Sequence, residues 1–326
     1  MNSTTELPVE TANTRRTDHV DENFFVSRQG HVVKKAKLNR GEQAALRSLI
    51  QGPVAAMTAE QLSGLLDTGL ESDVRYRNVI AGMRERVLAP EARLQDLLTY
   101  LQQEVRTKSG AEQGISVPAP TAVMVLVLEA VARQLGKDWM CDAASFIDVT
   151  IASARLQSLA QSLSEEAERD AVNPRAPFAA IILPRDEQHS LMSYLTGALY
   201  QTLGWQQQVI LQESISRPEI ARKIAQANVV CIGWSNMRLK PNVARLVADI
   251  RLISANETPP LIAGGVAALD FVEFLVEMGV DCICDSAISA VKVSESFYNL
   301  EKIKGFAALK DGNAERQTSR FDRQFQ

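Results

Sequence analysis

From residue 177 onward the chain alternates short apolar runs with amphipathic segments, and few folds satisfy that rhythm. The runs are Phe178–Leu183, Gln208–Leu211, Val229–Ile232, Leu261–Ala263 and Cys282–Cys284. Helical periodicity starts near Glu187, Arg217, Pro241, Ala268 and Ser286. Each run is too short for a helix, and each is followed by a helix-length pattern. Five β–α units in series across 177–300 predict an α/β domain of flavodoxin-like, Rossmann-like type: a doubly wound, five-stranded parallel sheet with helices on both faces. In such sheets ligands sit at the carboxyl ends of the strands, where the strand order reverses.

Residues 41–170 have a different texture. Ala44, Leu46, Leu49 and Ile50 form one helical stripe, and Leu62, Leu65 and Leu66 form another behind an N-cap at Thr58. Val74, Val79, Met83 and Val87 continue it, then Leu94, Leu97, Leu98 and Leu101 after Pro90. A loop from Gly110 to Pro120 precedes helices from Thr121 to about Leu135 and from about Lys137 to about Leu163. This segment predicts a helical bundle, and the polar stretch Ser164–Ala176 predicts a linker. Residues 1–40 read as a flexible arm, basic at its end, where Arg28, Lys34, Lys35, Lys37 and Arg40 occur with no acid. That arm is either a solvated tail or a contact for nucleic acid or an acidic partner. Residues 301–326 read as a C-terminal tail.

Composition excludes several classes. With 46 % hydrophobic residues among 326, a sizeable core can be buried, so wholesale disorder is excluded. The net charge of −4 excludes a globally basic nucleic-acid scaffold. No apolar run reaches the roughly 18 residues of a membrane span, and the polar N-terminus lacks a secretory h-region. Cys141, Cys231, Cys282 and Cys284 lie in apolar or helical runs, and Cys282-x-Cys284 is too tight for the usual zinc pair. These features predict a cytoplasmic protein in a reducing compartment, with no membrane partner.

Three strand ends carry the candidate chemistry. The first reads Leu183-Pro184-Arg185-Asp186-Glu187-Gln188-His189, placing an imidazole where this architecture holds ligands. A histidine there can ligate a metal through one nitrogen while a carboxylate, Glu187 or Asp186, holds the other. It equally suits a surface position at a helix start. The third strand ends in Gly233-Trp234-Ser235, without the Asp that a phosphoacceptor receiver domain needs. The fourth ends in Gly264-Gly265, which lets a bulky group approach the backbone. There is no P-loop, no G-x-G-x-x-G and no nucleophile–base pair, so independent catalysis is not expected.

A His after strand one, a small residue and Ser after strand three, and Gly-Gly after strand four resemble the cobalamin (vitamin B12)-binding domain, whose signature is D-x-H-x-x-G, S-x-L and G-G. Here Glu187 stands for the Asp, His189 matches, and Met192 stands for the Gly; the second motif reads Gly233-Trp234-Ser235, and Gly264-Gly265 is intact. Upstream, Gly136-Lys137-Asp138-Trp139, Asp142, Ser145-Phe146-Ile147-Asp148-Val149-Thr150 and Arg155-Leu156-Gln157 are similar to the helical cap that precedes such domains in light sensors. Those sensors often carry W-x9-E-H; here Val149-Thr150 occupies the E-H place after Trp139. Together the patterns resemble AerR/PpaA-type antirepressors of photosynthesis-gene regulation.

The resemblance implies a regulator that binds a tetrapyrrole, cobalamin in adenosyl or hydroxo form, and antagonises a CrtJ/PpsR-type repressor in response to light or redox state. It implies His189 as the lower axial ligand to cobalt, oriented by Glu187. It places Trp139, Val149 and Thr150 over the upper face, and Gly233, Ser235, Gly264 and Gly265 beside the nucleotide tail. Because Met192 replaces the Gly, two alternatives stand: heme, with His189 on the iron, or a cofactor-free interaction module. A corrinoid methyl carrier would need the intact D-x-H-x-x-G.

Overall fold

The computed structural model describes residues 70–108, 120–170, 176–253 and 259–302. The expectations for the arm at 1–40, the stripes at 44–66, most of the 110–120 loop and the segment beyond 302 lie outside the described residues. Every described residue belongs to one compact unit, Ala44–Gln326.

A 3-10 turn, Leu70–Ser72, leads into four helices: α1 (Val74–Leu88), α2 (Leu94–Lys108), α3 (Pro120–Met140) and α4 (Phe146–Asp170). Helix α1 buries Tyr76, Val79, Ile80, Met83 and Val87, while Val74, at its first turn, is exposed. Helix α3 is buried on all sides from Ala122 to Val131, as befits the central helix of a bundle. The Arg155 guanidinium of α4 donates to the carbonyls of Val87 (2.7 Å), Ala89 (2.8 Å) and Pro90 (3.0 Å), satisfying the frayed end of α1.

Two boundaries differ from the sequence expectation. Helix α3 runs past Gly136 to Met140, because a lone glycine with open space around it does not end a helix. The turn falls at Asp142, whose φ is 55°, and α4 then opens on a capping box. There Ser145 Oγ bonds Asp148 Oδ2 at 2.7 Å and accepts from the Asp148 N–H at 3.2 Å. At its far end α4 continues to Asp170, so helix replaces much of the expected linker.

The sheet comprises β1 (Phe178–Leu183), β2 (Gln206–Leu211), β3 (Val229–Gly233), β4 (Leu261–Gly264) and β5 (Cys282–Cys284), all parallel, in the order β2-β1-β3-β4-β5. Helices α5 (Leu191–Thr202), α6 (Arg217–Gln226), α7 (Lys240–Ile253), α8 (Val266–Asp270), α9 (Val272–Glu277) and α10 (287–302) connect or follow the strands. The strand order reverses between β1 and β3, which marks the ligand-binding edge of a doubly wound sheet.

Alternation along the strands divides the interior in two. Ala179, Ile181, Val229, Cys231, Ile262 and Cys284 face a core built with α5, α10 and the four N-terminal helices. Ala180, Ile182, Val230, Ile232, Leu261 and Ala263 face a second core under α6 to α9. Helix α5, buried from Leu195 through Gln201 except at Thr196, is sandwiched between sheet and bundle. The helical part and the sheet therefore share one apolar core.

Asp73 caps α1, accepting from the Arg75 N–H at 2.9 Å. The side-chain hydrogen bond from Arg75 holds its carboxyl below the usual carboxylate value, and partial burial opposes this. A depressed native pKa means the cap stabilises above the unfolded value and loses that contribution as pH falls through the native one. Asp73→Ala should cost about 1 kcal/mol at pH 7, a Tm drop of about 2–4 °C. The difference from wild type should shrink below about pH 4 in thermal melts followed by circular dichroism.

Candidate functional site

The loop after β1 is braced by the end of β2. The Arg185 N–H donates to Gln212 Oε1 (2.8 Å), and the Asp186 N–H to Glu213 Oε2 (3.1 Å). Asp186 takes a left-handed φ of 68°, and Glu187 N–H closes the turn on the Pro184 carbonyl at 3.0 Å. Helix α5 therefore starts at Leu191 rather than near Glu187, and this turn sends the Glu187 side chain inward.

Glu187 is 3 % exposed and accepts four hydrogen bonds. Its Oε1 receives the His189 N–H (3.0 Å) and faces His189 Nδ1 at 2.7 Å. Its Oε2 receives the N–H groups of Ser235 and Asn236, each at 2.9 Å, from the loop after β3. Burial pushes the carboxyl up, but the backbone donors of Asn236, Ser235 and His189, with the His189 ring, outweigh it and hold it below its ordinary value. An ionised carboxylate only accepts, so the proton of a neutral His189 sits on Nδ1 and the lone pair on Nε2. The imidazole itself is 66 % exposed. A carboxylate-held imidazole with a free, solvent-facing Nε2 is the arrangement of a metal ligand with its supporting group.

The remaining sheet-edge residues gather around this pair. Trp234 is fully buried, stacks on Phe271 at 5.5 Å, and donates Nε1–H to the Asn236 carbonyl at 2.7 Å. It anchors the 235–236 turn under Glu187. Two of the three glycines admit neighbouring backbone, and Gly233 admits the Ser193 side chain. A side chain at Gly265, whose φ is 107°, would strike the Trp234 carbonyl; one at Gly233 would strike Ser193 Oγ; one at Gly264 would lie 3.2 Å from the Cys284 carbonyl. The space on that side of all three is occupied by the protein itself. Met192 is half-buried against the core beneath α5.

Trp139, Val149 and Thr150 lie on the α3–α4 hairpin. Its tip exposes Trp139 (53 %), Met140 (74 %), Phe146 (71 %), Ile147 (67 %) and Ile151 (44 %). Trp139 and Phe146 line a hollow of about 450 Å³ with Asp142, Ser145 and Asp148. Val149 is half-buried, and Thr150 Oγ1 donates to the Phe146 carbonyl at 2.7 Å. Two contacts orient the hairpin. Gln157 Oε1 of α4 accepts from Ser190 Oγ, beside His189, at 3.1 Å; Ser164 Oγ accepts from Gln207, near the start of β2, at 3.3 Å. Helix α4 thus runs antiparallel to the strands, and residues 146–151 project roughly 9–17 Å past the edge that carries His189. Five large apolar side chains thus face water beyond the sheet edge that carries the exposed imidazole, and exposed apolar clusters of this kind are characteristic of binding surfaces.

The structure brings Glu187 and His189 together as the sequence suggested, while the glycines expected beside a nucleotide tail face protein atoms. Sequence reasoning missed the roles of Asn236, which offers only a backbone N–H, and of Gln157, which lay inside a motif without an assigned task. Ser235, expected beside the nucleotide tail, serves Glu187 through its N–H.

No known family's model matches the chain. It is 26 % identical over 153 residues to an uncharacterized 20.5 kDa protein in the bchF-crtJ intergenic region of Rhodobacter capsulatus, a match spanning 47 % of this chain and 79 % of that protein. Among solved structures it is similar to the monomethylamine corrinoid protein of Methanosarcina barkeri, with a TM-score of 0.51 and 11 % identity over 67 % of this chain and 98 % of that one. A cobalamin-binding protein from Desulfitobacterium hafniense matches over the same shares with a TM-score of 0.37 and 12 % identity. The chain has the fold of Rossmann-like corrinoid-binding proteins: helices ahead of a five-stranded parallel sheet. Among the described residues no helix is long and apolar enough to cross a membrane.

Because both Glu187 oxygens accept, Glu187→Gln must turn an amide NH2 toward an N–H donor whichever way it faces. This isosteric change should cost about 2–3 kcal/mol and lower Tm by roughly 4–12 °C. A melt within about 1 °C of wild type would show that the carboxylate does not hold the two loops together.

Proposed function

We propose that this chain is a regulatory cobalamin-binding protein that antagonises a CrtJ/PpsR-type transcriptional repressor in response to light or redox state. The observation that carries the reading is the Glu187–His189 pair at the switch point of the sheet, with the exposed apolar tip of the α3–α4 hairpin projecting past the same edge. The corrinoid-protein fold supports the cofactor, and the relative from between bchF and crtJ supports the regulatory setting.

In this reading His189 Nε2 would hold the cofactor's metal, and Glu187 fixes the ring and keeps the Nδ1 proton in place. Trp139, Phe146 and Ile147 cover the planar face and exclude water, with Val149 and Thr150 beside them. When bound, cobalamin would supply a metal centre sensitive to light and redox state. A pull on His189 reaches Glu187 Oε1 and, through Oε2, the Ser235–Asn236 turn. The hairpin tip responds rather than the whole helical part, because α3 and α4 share their core with the sheet. The role is regulatory, without a reaction of its own. Cytoplasmic placement and a DNA contact through residues 28–40 belong to the same proposal.

One observation favours a second reading. The sides of Gly233, Gly264 and Gly265 on which a nucleotide tail was expected are filled by Ser193 and by the backbone at Trp234 and Cys284. Heme has no such tail and needs an axial histidine and an apolar slot.

Purified protein incubated with hydroxocobalamin or hemin, then desalted, should retain cobalamin absorption bands that change on illumination and are absent in His189→Ala. A retained, His189-dependent Soret band with no cobalamin retention would replace the first reading with the second. Retention of neither would leave a cofactor-free interaction module.

A further inference from the structure

The face of β5 turned toward the bundle carries two thiols that the site does not use. Cys282 and Cys284 point to the same side of the strand, with Cys284 in the core and Cys282 half-buried against it, while Ile283 faces the opposite core. Two residues of strand separate their Cα atoms by about 6.6 Å. That lies just inside the range a disulfide spans, about 4.4–6.8 Å, but parallel Cβ vectors are too far apart unless the strand buckles. β5 is able to buckle: it is three residues long, at the edge of the sheet, and paired only to β4 among the described residues.

The two thiols are unequal. The neighbouring Cys284 thiol, reinforced by the Ile283 backbone and opposed by burial, lowers Cys282 to about 7. The Cys282 sulfur and burial push Cys284 up. Burial also raises the third thiol on this face, Cys231, to about 11. Cys282 is also the most exposed of the three, so it is the thiol that an oxidant meets first.

The strand leads straight into the clamp that ties the sheet to the helical part. Glu129, 4 % exposed on α3, accepts the Ala287 N–H at 3.1 Å and is held by Arg133 at 2.8 Å. Arg133 also reaches the Asp285 carbonyl at 3.3 Å. Ser286 and Ser289 cap α10 reciprocally, with N···Oγ distances of 3.1 and 3.2 Å. A buckled β5 displaces Asp285–Ala287 from these partners.

We propose that Cys282 and Cys284 are a reversible dithiol–disulfide pair whose oxidation buckles β5 and loosens the Glu129–Ala287 clamp. The oxidant is a low-molecular-weight disulfide such as oxidised glutathione. The Cys282 thiolate attacks one of its sulfurs, forming a mixed disulfide and releasing one glutathione thiolate. Cys284, losing its proton, attacks the Cys282 sulfur and releases the second. The protein gives up two electrons and two protons, and the oxidant becomes two glutathione thiols. Strain at this i, i+2 spacing keeps the bond easily reduced, as a signalling disulfide in a reducing compartment must be.

The test uses full-length protein treated with oxidised glutathione at neutral pH, then alkylated and digested with trypsin. Residues 252–292 form one tryptic peptide holding both cysteines, while Cys231 falls in 224–238 and Cys141 in 138–155. The expected result is a 252–292 peptide two hydrogens lighter and unalkylated, restored by dithiothreitol, with Cys231 and Cys141 alkylated. Before oxidation Cys282 should alkylate at least about tenfold faster than Cys231. Cys284→Ser should stop at a glutathione adduct on Cys282, and hydrogen exchange over 285–290 should rise in the oxidised wild type. Both thiols of 252–292 remaining alkylatable, a bond to the 224–238 peptide, or a disulfide formed with no change in exchange at 285–290 would each overturn the proposal.

Discussion

A carboxylate taken out of water must be given donors, and Glu187 receives four. Two come from His189 and two from the turn after β3, so one side chain joins the strand ends that flank the switch point. The candidate site follows from that constraint. The braced loop after β1 turns the carboxylate inward, the ionised carboxylate fixes the imidazole proton on Nδ1, and Nε2 is left facing solvent. Buried Trp234 holds the 235–236 turn where its N–H groups reach the carboxylate. The hydrogen bonds that stabilise the sheet edge are therefore the same ones that orient the His189 ring.

The fold was largely legible in the sequence, and the site only in part. The β–α rhythm predicted all five strands: β1, β3 and β4, buried on both faces, read as continuous apolar runs, while the edge strands β2 and β5 showed only short ones. Glu187 stood out by its spacing from His189. Asn236 and the N–H of Ser235 left no trace, since every residue but proline carries that donor. Gly264-Gly265 was visible as a motif, but its purpose was not: the glycines admit a neighbouring backbone, a tertiary fact that sequence spacing does not encode. The α3–α4 boundary was misplaced because Gly136 resembles a stop signal, whereas the turn depends on the φ of Asp142 and the capping box at Ser145. Ser145 and Asp148, in a stretch matched to a family pattern, have a local duty in starting α4.

The shared core limits how such a molecule can respond. Bundle and sheet are bound by α5, by the contacts of Gln157 with Ser190 and of Ser164 with Gln207, and by the Glu129 clamp on α10. A hinge between two rigid bodies would have to open that core. The elements with less to lose are the hairpin tip, whose large apolar side chains already face water, and the edge strand β5, which is short and paired on one side. Both adjoin elements that tie helices to sheet, so a change at either is carried inward by packing.

The central claim is that the protein, through His189, supplies the axial nitrogen to a corrinoid cobalt. Electron paramagnetic resonance of cob(II)alamin bound to uniformly 15N-labelled protein tests this directly. A 15N ligand splits each cobalt line into two, whereas the 14N of the cofactor's own base splits it into three. Doublets in the wild type, lost in His189→Ala, are the predicted result. Triplets in the labelled wild type would place the cofactor's own base on the metal and contradict the account.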